Sequence, residues 1–241
     1  MGSKVFDRIE KKYLITKLQK QNILAVVKKY ATESNYHKSE VFNLYFDTDN
    51  YDLISQSIDW TDFKHKLRAR SYGGYDRVFL EIKTKLREKE SNPGYKRRVM
   101  VTRKDYKKLV NGTATLFDLI KNSNSTSNDL QIAREVDYLI KTLRLKPKIL
   151  IMYHRESYRG EENLRITFDE KLRYRNNNLC FIRKRHDKIY FKDEPSIIME
   201  IKSQGSLPIW LVNVLSVNKV YPQQFSKIGK VYEQITKETN V

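Results

Sequence analysis

Along several stretches of the chain, apolar and polar residues alternate with a period of two, the repeat of a β-strand with one buried face. In Phe63 to Tyr72, the cations Lys64, Lys66, Arg68 and Arg70 alternate with Phe63, His65, Leu67 and Ala69. In Arg77 to Lys85, Glu81, Lys83 and Lys85 stand opposite Val78, Leu80 and Ile82. In Leu164 to Arg175, Arg165, Thr167 and Asp169 oppose Leu164, Ile166 and Phe168, and in Ser196 to Lys202, Glu200 and Lys202 oppose Ile197, Met199 and Ile201. Further strands are predicted at Val5 to Leu14, Val41 to Asp47, Tyr95 to Val101 with Lys96 and Arg98, Lys148 to Tyr158, and Cys180 to Phe191.

Elsewhere the period is helical. Thr16 and Gln19 have capping-box spacing ahead of Ile23, Val27 and Tyr30 on one face. Lys104 to Val110 ends at Asn111-Gly112, and Ile132, Val136, Leu139 and Leu143 align in Asp129 to Leu143. Trp210, Leu211, Val214 and Leu215, then Ile228, Val231, Tyr232 and Ile235, predict a helical C-terminus. Asn122 to Asn128 reads as an exposed loop, and Gly73-Gly74 and Asn92-Pro93-Gly94 as turns joining neighbouring strands into an antiparallel meander. The strands do not alternate regularly with helices, which excludes a doubly wound parallel fold. The expected fold is α+β: a mostly antiparallel closed β-barrel of about eight strands, with helices packed outside and the charged faces lining a basic tunnel. One domain spanning residues 1–241 is expected.

Composition adds an anionic partner. Lysine and arginine number 47 against 29 acidic residues in 241, a net charge of +18, which suits nucleic acid, a phosphate-rich small molecule or an acidic membrane surface. Cations this dense on one face repel one another unless an anion lies between them. The single Cys180 rules out an intrachain disulfide and suits a reducing compartment. The start carries no targeting pattern, and Phe6 occupies the position where myristoylation expects serine or threonine. The longest apolar stretch, Pro208 to Val217, is far short of the roughly 20 residues a bilayer requires. A cytoplasmic chain without a transmembrane segment is expected, with a membrane-bound partner and the oligomeric state left open. No phosphate-binding Gly-x-x-x-x-Gly-Lys-Ser/Thr segment, zinc-type histidine and cysteine cluster, or paired nucleophile and base is visible.

A set of motifs in consistent order resembles the VTC domain of polyphosphate polymerases, within the CYTH or triphosphate tunnel metalloenzyme superfamily. Arg8-Ile9-Glu10-Lys11-Lys12-Tyr13 is similar to the first-strand motif, with Arg8 in place of its first glutamate. Asn43-Leu44-Tyr45-Phe46-Asp47, Lys66-Leu67-Arg68-Ala69-Arg70-Ser71-Tyr72-Gly73 and Phe79-Leu80-Glu81-Ile82-Lys83-Thr84-Lys85 resemble the next three strands. Tyr153-His154-Arg155, Leu164-Arg165-Ile166-Thr167-Phe168-Asp169, Met199-Glu200-Ile201-Lys202, Pro208-Ile209-Trp210 and Phe225-Ser226-Lys227 complete the set. The resemblance implies a tunnel that binds ATP and inorganic polyphosphate through Lys12, Arg68, Arg70, Lys83, Arg155, Arg165 and Lys227. Glu200 would hold a divalent metal, Mn2+ or Mg2+. Lys66, Lys85, Lys96, Arg98, Lys202, Ser226 and Tyr153 are added as candidate phosphate contacts; at the position of Lys85 some members have histidine. Hydrolytic members use several tunnel carboxylates, so Arg8 favours a transferase.

Bland roles compete with these. Glu10 and Glu81 would either neutralise neighbouring lysines or bind metal, and Asp169 would be structural or a second metal ligand. Ser226 is expected to cap the last helix, a role compatible with an anion site at that N-terminus beside Lys227. Tyr13, Tyr45 and Tyr153 read as core or wall residues, and Arg183 to Lys188 as a solvated hairpin or a guide for the anionic product. The function expected is transfer of the γ-phosphate of ATP onto a growing polyphosphate chain. The alternatives are a tripolyphosphate or nucleoside-triphosphate hydrolase, a non-catalytic polyphosphate-binding regulatory subunit and, last, a nucleic-acid binder, against which the absence of any module motif counts.

Overall fold

The computed structural model describes residues 8–59, 63–73, 75–86 and 94–239. In chain order its elements are β1 (Arg8–Ile15), α1 (Lys17–Tyr30), β2 (Ala31–Asp47), α2 (Asp52–Ile58), β3 (Phe63–Tyr72), β4 (Val78–Leu86), β5 (Gly94–Val101), α3 (Arg103–Val110), α4 (Leu116–Ile120), α5 (Ser127–Thr142), β6 (Lys146–Gly160), β7 (Arg165–Arg175), β8 (Lys188–Ile189), β9 (Ile197–Gln204), α6 (Ile209–Val217) and α7 (Lys227–Thr239). The chain divides into two compact units, one formed by residues up to Glu40 with Met152–Arg173 and Lys188–Ser226, the other by Val41–Ile151, Tyr174–Asp187 and the segment from Lys227 onward.

In the first unit β1 pairs antiparallel with β9, and β9 with β7, so that Lys12 lies opposite Glu200 and Thr167 opposite Glu200 from the other side. One face of these strands is apolar. Tyr13, Ile15, Ile166, Phe168, Ile197, Met199 and Ile201 pack with Ile23 and Val27 of α1 and Leu211, Val214 and Leu215 of α6. The capping box is present: Thr16 accepts from the Gln19 backbone while the Gln19 side chain accepts from the Thr16 N–H. Lys20, on the buried side of α1, is held by Glu156 at 3.2 Å and by Glu170. The opposite face carries Glu10, Lys12, Arg165, Thr167, Asp169, Glu200 and Lys202, as the alternation requires.

In the second unit β2, β3, β4 and β5 form the expected antiparallel meander. Leu44, Leu67, Ala69, Leu80, Ile82, Val99 and Val101 are buried on one face. α5 contributes buried Ile132, Ala133 and Val136, and starts earlier than expected, at Ser127 behind a Thr126–Asp129 capping box. Asn122 to Asn128 is therefore not wholly loop. Register brings Lys66, Lys83 and Lys96 into one row across three strands, and Arg68, Glu81 and Arg98 into the next.

Three sequence expectations are corrected. Hydrogen-bonded neighbours give the order β1-β9-β7-β6-β2-β3-β4-β5, with β8 on β7. β1 and β5 end that order and do not pair with each other among the described residues, so the sheet is open and not a closed barrel. Alternation fixes a strand's faces but not whether the outermost strands meet, and the exposed lysine and arginine on β5 are the kind of charge that protects an edge. Second, the strand expected over Cys180 to Phe191 shrinks to Lys188–Ile189. Buried Arg175 draws the preceding segment into a coil: its guanidinium donates to the Cys180 and Ile182 carbonyls and pairs with Asp187 at 2.6 Å. Third, β2 begins at Ala31 and not at Val41. Residues 31–40 are polar on both faces, and Thr32 and Ser34 donate to the Arg159 and Ser157 carbonyls of β6. The part of the first predicted strand before Arg8, most of the Asn92-Pro93-Gly94 turn and Gly74 lie outside the described residues.

Candidate phosphate-binding site

The second unit gathers its charge around Glu81, only 2% exposed on β4. Arg68 reaches its Oε2 at 2.6 and 2.7 Å through two nitrogens, Arg70 approaches at 3.7 Å, and Lys96 holds Oε1 at 2.9 Å. Burial alone would raise the Glu81 pKa, but Arg68, Arg70 and Lys96 outweigh it and bring it down to about 2. One carboxylate thus orients three cations. Asn43 on β2 steadies Arg70 by accepting from its Nε at 2.8 Å, and Tyr45 accepts from Arg68 at 3.3 Å. Burial would raise the Tyr45 phenol, yet Arg68, Lys66 and Arg70 lower it. Lys96 is brought down to about 8 by burial and by Arg70 and Arg68, against the pull of Glu81, although 44% of its side chain stays exposed. Arg98 lies over the Phe79 ring at 5.1 Å. Lys83 and Lys85 are exposed along β4.

In the first unit the counterpart is built on β1, β6, β7 and β9. Arg155 of β6 is clamped by Asp169 of β7, Nε to Oδ1 at 2.6 Å and a terminal nitrogen to Oδ2 at 2.7 Å. Burial would weaken the guanidinium's charge, but Asp169 raises its pKa well above the ordinary value. Arg155 also stands 5.3 Å from the Tyr153 ring. Arg165 is steadied by the Ser157 hydroxyl at 3.4 Å. Lys202 bonds Glu200 at 2.6 Å and Glu10 at 3.4 Å; Glu10 also lies 3.7 Å from Lys12, whose Nζ donates to the Phe225 carbonyl at 3.0 Å. Arg155, Arg165, Thr167, Glu200 and Lys202 line a cavity of ≈ 20 Å³, above the roughly 10–15 Å³ that one water-sized group requires.

The sequence-derived candidates therefore fall into two groups. Arg68, Arg70 and Lys96 meet at Glu81, with Lys66 and Lys83 in the adjoining row; Arg155, Arg165, Glu200 and Lys202 share the cavity, with Lys12 beside it through Glu10. Ser226 is the exposed last residue of the first unit, and Lys227 is the half-buried first residue of α7 in the second. Both oxygens of Asp169 accept from Arg155. Sequence reasoning missed Asn43, Ser157 and the organising role of Glu81. Their signal was available only through register, because each contact spans two strands. His65 bonds Thr84 at 3.0 Å, and His154 lies 4.0 Å from Glu40.

Among the described residues no group of three or more histidine, cysteine or acidic side chains is placed to hold a divalent ion. Glu200 and Glu10 nevertheless offer hard oxygen ligands beside the cavity, bridged by Lys202. One or two carboxylates suffice for an ion completed by water and phosphate oxygens. The residues fit such an ion and not a closed protein cage.

An antiparallel α+β sheet with one apolar face and one face of carboxylate-anchored cations defines the class. The VTC domain family model matches residues 7–235, and the chain belongs to that family. Among solved structures, the chain is similar to HpAC1 from Hippeastrum, described as a candidate adenylyl cyclase with a dominant triphosphatase activity. The identity is 16% and the TM-score 0.52, with 91% of this chain and 92% of that one covered. It is also similar to PH1819 of Pyrococcus horikoshii OT3 (15% identity, TM-score 0.48, 94% and 99% covered). A third is a candidate adenylate cyclase of Vibrio parahaemolyticus (11% identity, TM-score 0.49, 94% and 98% covered). Among the described residues no helix is long and apolar enough to cross a membrane.

Proposed function

We propose that this chain is a polyphosphate polymerase, which transfers the γ-phosphoryl group of ATP to the terminal oxygen of an inorganic polyphosphate chain and releases ADP. The observation that carries this reading is the cavity in which Arg155, Arg165 and Lys202 converge with a single carboxylate, Glu200. Membership of the VTC family supports it. Phosphoryl transfer asks the protein mainly for alignment and charge cancellation. The acceptor's terminal oxygen is already ionised at neutral pH, so attack on phosphorus needs no general base from the chain. The bond from phosphorus to the β–γ bridging oxygen breaks, and its electrons leave with ADP.

Arg155 arrives pre-oriented by Asp169, so little rotamer freedom is lost when it forks two phosphate oxygens. Arg165, Lys202 and Lys12 add charge in the first unit, and Arg68, Arg70, Lys66, Lys83 and Lys96 bind phosphate groups in the second. Glu200, aided by Glu10, would hold Mn2+ or Mg2+, which when bound cancels charge on the phosphate oxygens. A hydrolase would use the same phosphate ligands with water as acceptor. One feature supports the transferase: Arg8 at the first-strand glutamate position. Incubation with ATP and manganese, followed by gel separation of long-chain polyphosphate from free phosphate, tests the proposal.

A further inference from the structure

Thr167 is the one cavity-lining residue to which the sequence assigned no task. It sits at the middle of the polar face of β7, two residues from Arg165 on one side and from Asp169 on the other, directly opposite Glu200 in the ladder. It is 4% exposed, and its Oγ1 is buried without a hydrogen-bond partner inside the fold. Its neighbours on the cavity wall are engaged: Arg155 with Asp169, Arg165 with Ser157, Glu200 with Lys202. A buried hydroxyl left unsatisfied destabilises the protein, and valine would fill the same strand position without that penalty. An unpartnered hydroxyl on a residue that lines a cavity flanked by three cations calls for an acceptor that brings negative charge.

We infer that Thr167 is a phosphate ligand whose Oγ1–H donates to one non-bridging phosphoryl oxygen seated among Arg155, Arg165 and Lys202. The inference rests on the phosphate-binding reading of this cavity but not on whether the chain polymerises or hydrolyses. The cavity volume of ≈ 20 Å³ leaves room beside Thr167 for an oxygen-sized group. Arginine and lysine side chains can follow a moving anion, whereas a threonine hydroxyl turns only about one bond and is stiff at χ1. Thr167 therefore fixes where along β7 that oxygen stops, and the longer side chains supply most of the charge.

The test compares wild type, Thr167→Val and Thr167→Ser by calorimetric titration with inorganic tripolyphosphate and by melting of the ligand-free proteins. Val keeps the shape and removes the donor, so tripolyphosphate should bind about tenfold more weakly. The ligand-free Val variant should melt at or above the wild-type temperature, because the orphaned hydroxyl is gone. Ser restores the donor and should bind within about threefold of wild type. Binding thus weakens without loss of stability, which a purely structural threonine cannot produce. Wild-type affinity in Thr167→Val overturns the inference while leaving the phosphate site standing. So does weakened binding in Val that Ser fails to restore. A wild-type protein that does not bind tripolyphosphate at all overturns both.

Discussion

Arg155 and Asp169 form a two-bond ion pair between neighbouring strands β6 and β7, with contacts of 2.6 and 2.7 Å and the carboxylate side chain fully buried. Such a pair does little for net stability against an apolar replacement, but breaking it by removing one partner strands a buried charge. Asp169→Asn should therefore lower the unfolding free energy by about 3 kcal/mol. It should also weaken phosphate binding through a misplaced Arg155. Chemical denaturation and tripolyphosphate titration of the same variant check the two effects. Unchanged stability would mean that Arg155 finds another anchor.

Glu200→Gln separates catalysis from binding. The substitution removes a hard oxygen ligand and its charge while keeping size, so polymer yield should fall by orders of magnitude although tripolyphosphate still binds. Wild-type polymer yield from the variant would contradict the assignment of Glu200.

Arginine removal should act differently in the two units. If Arg165 binds phosphate as proposed, Arg165→Ala should lose one phosphate fork, worth on the order of 2–4 kcal/mol in the transition state, with little change in melting. Arg68→Ala should cut turnover similarly and also destabilise the fold, because buried Glu81 loses its closest cation. Mutual repulsion among dense cations would by itself make removing either harmless to stability. The Glu81 contacts change that expectation for Arg68. Melting curves of both variants at equal ionic strength measure the difference.

Glu81 also sets an acid limb. Its pKa falls from 4.5 in the reference state to about 2 in the fold, so its contribution is fully present above pH 4.5 and is lost as pH falls toward 2. The depression corresponds to about 3 kcal/mol. Glu81→Gln should flatten the pH dependence of stability across that window, measured by denaturant titration at successive pH values. At the other end, Lys96 loses its proton as pH rises through about 8. Phosphate affinity should fall above that pH in wild type and less so in Lys96→Met.

Much of this was legible in the chain because period-two alternation states which side chains share a face. Lys66, Arg68 and Arg70 could be assigned to one side of β3 without any structure, and so could Arg165, Thr167 and Asp169 on β7. Pairing across strands could not be read. The anchoring of Arg68, Arg70 and Lys96 by Glu81 depends on the register of β3 against β4 and of β4 against β5. Arg175 converts an apparent strand into coil through contacts made only after folding. Residues 31–40 form strand without an apolar face to announce it, and Thr167 is hidden by its ordinary preference for strands. Which strands end the hydrogen-bonded order among the described residues depends on pairing that alternation does not encode.

The charge distribution makes a further distinction. If the clusters are ligand sites for inorganic phosphate chains, tripolyphosphate should displace labelled ATP at micromolar levels, and duplex DNA at equal phosphate concentration should leave it bound. A surface that reads duplex backbone would reverse the order and lose DNA affinity steeply with salt. Filling a cationic site should also raise the melting temperature with tripolyphosphate concentration.

The most direct measurement is a phosphorus NMR time course of the wild-type chain with ATP and a divalent metal, reading ADP, free phosphate and the internal phosphates of polyphosphate in one tube. A polymerase yields internal polyphosphate signal that grows in step with ADP while free phosphate stays near its starting level. ADP and free phosphate rising in equal amounts, with no internal polyphosphate signal, would contradict the polymerase and identify a hydrolase.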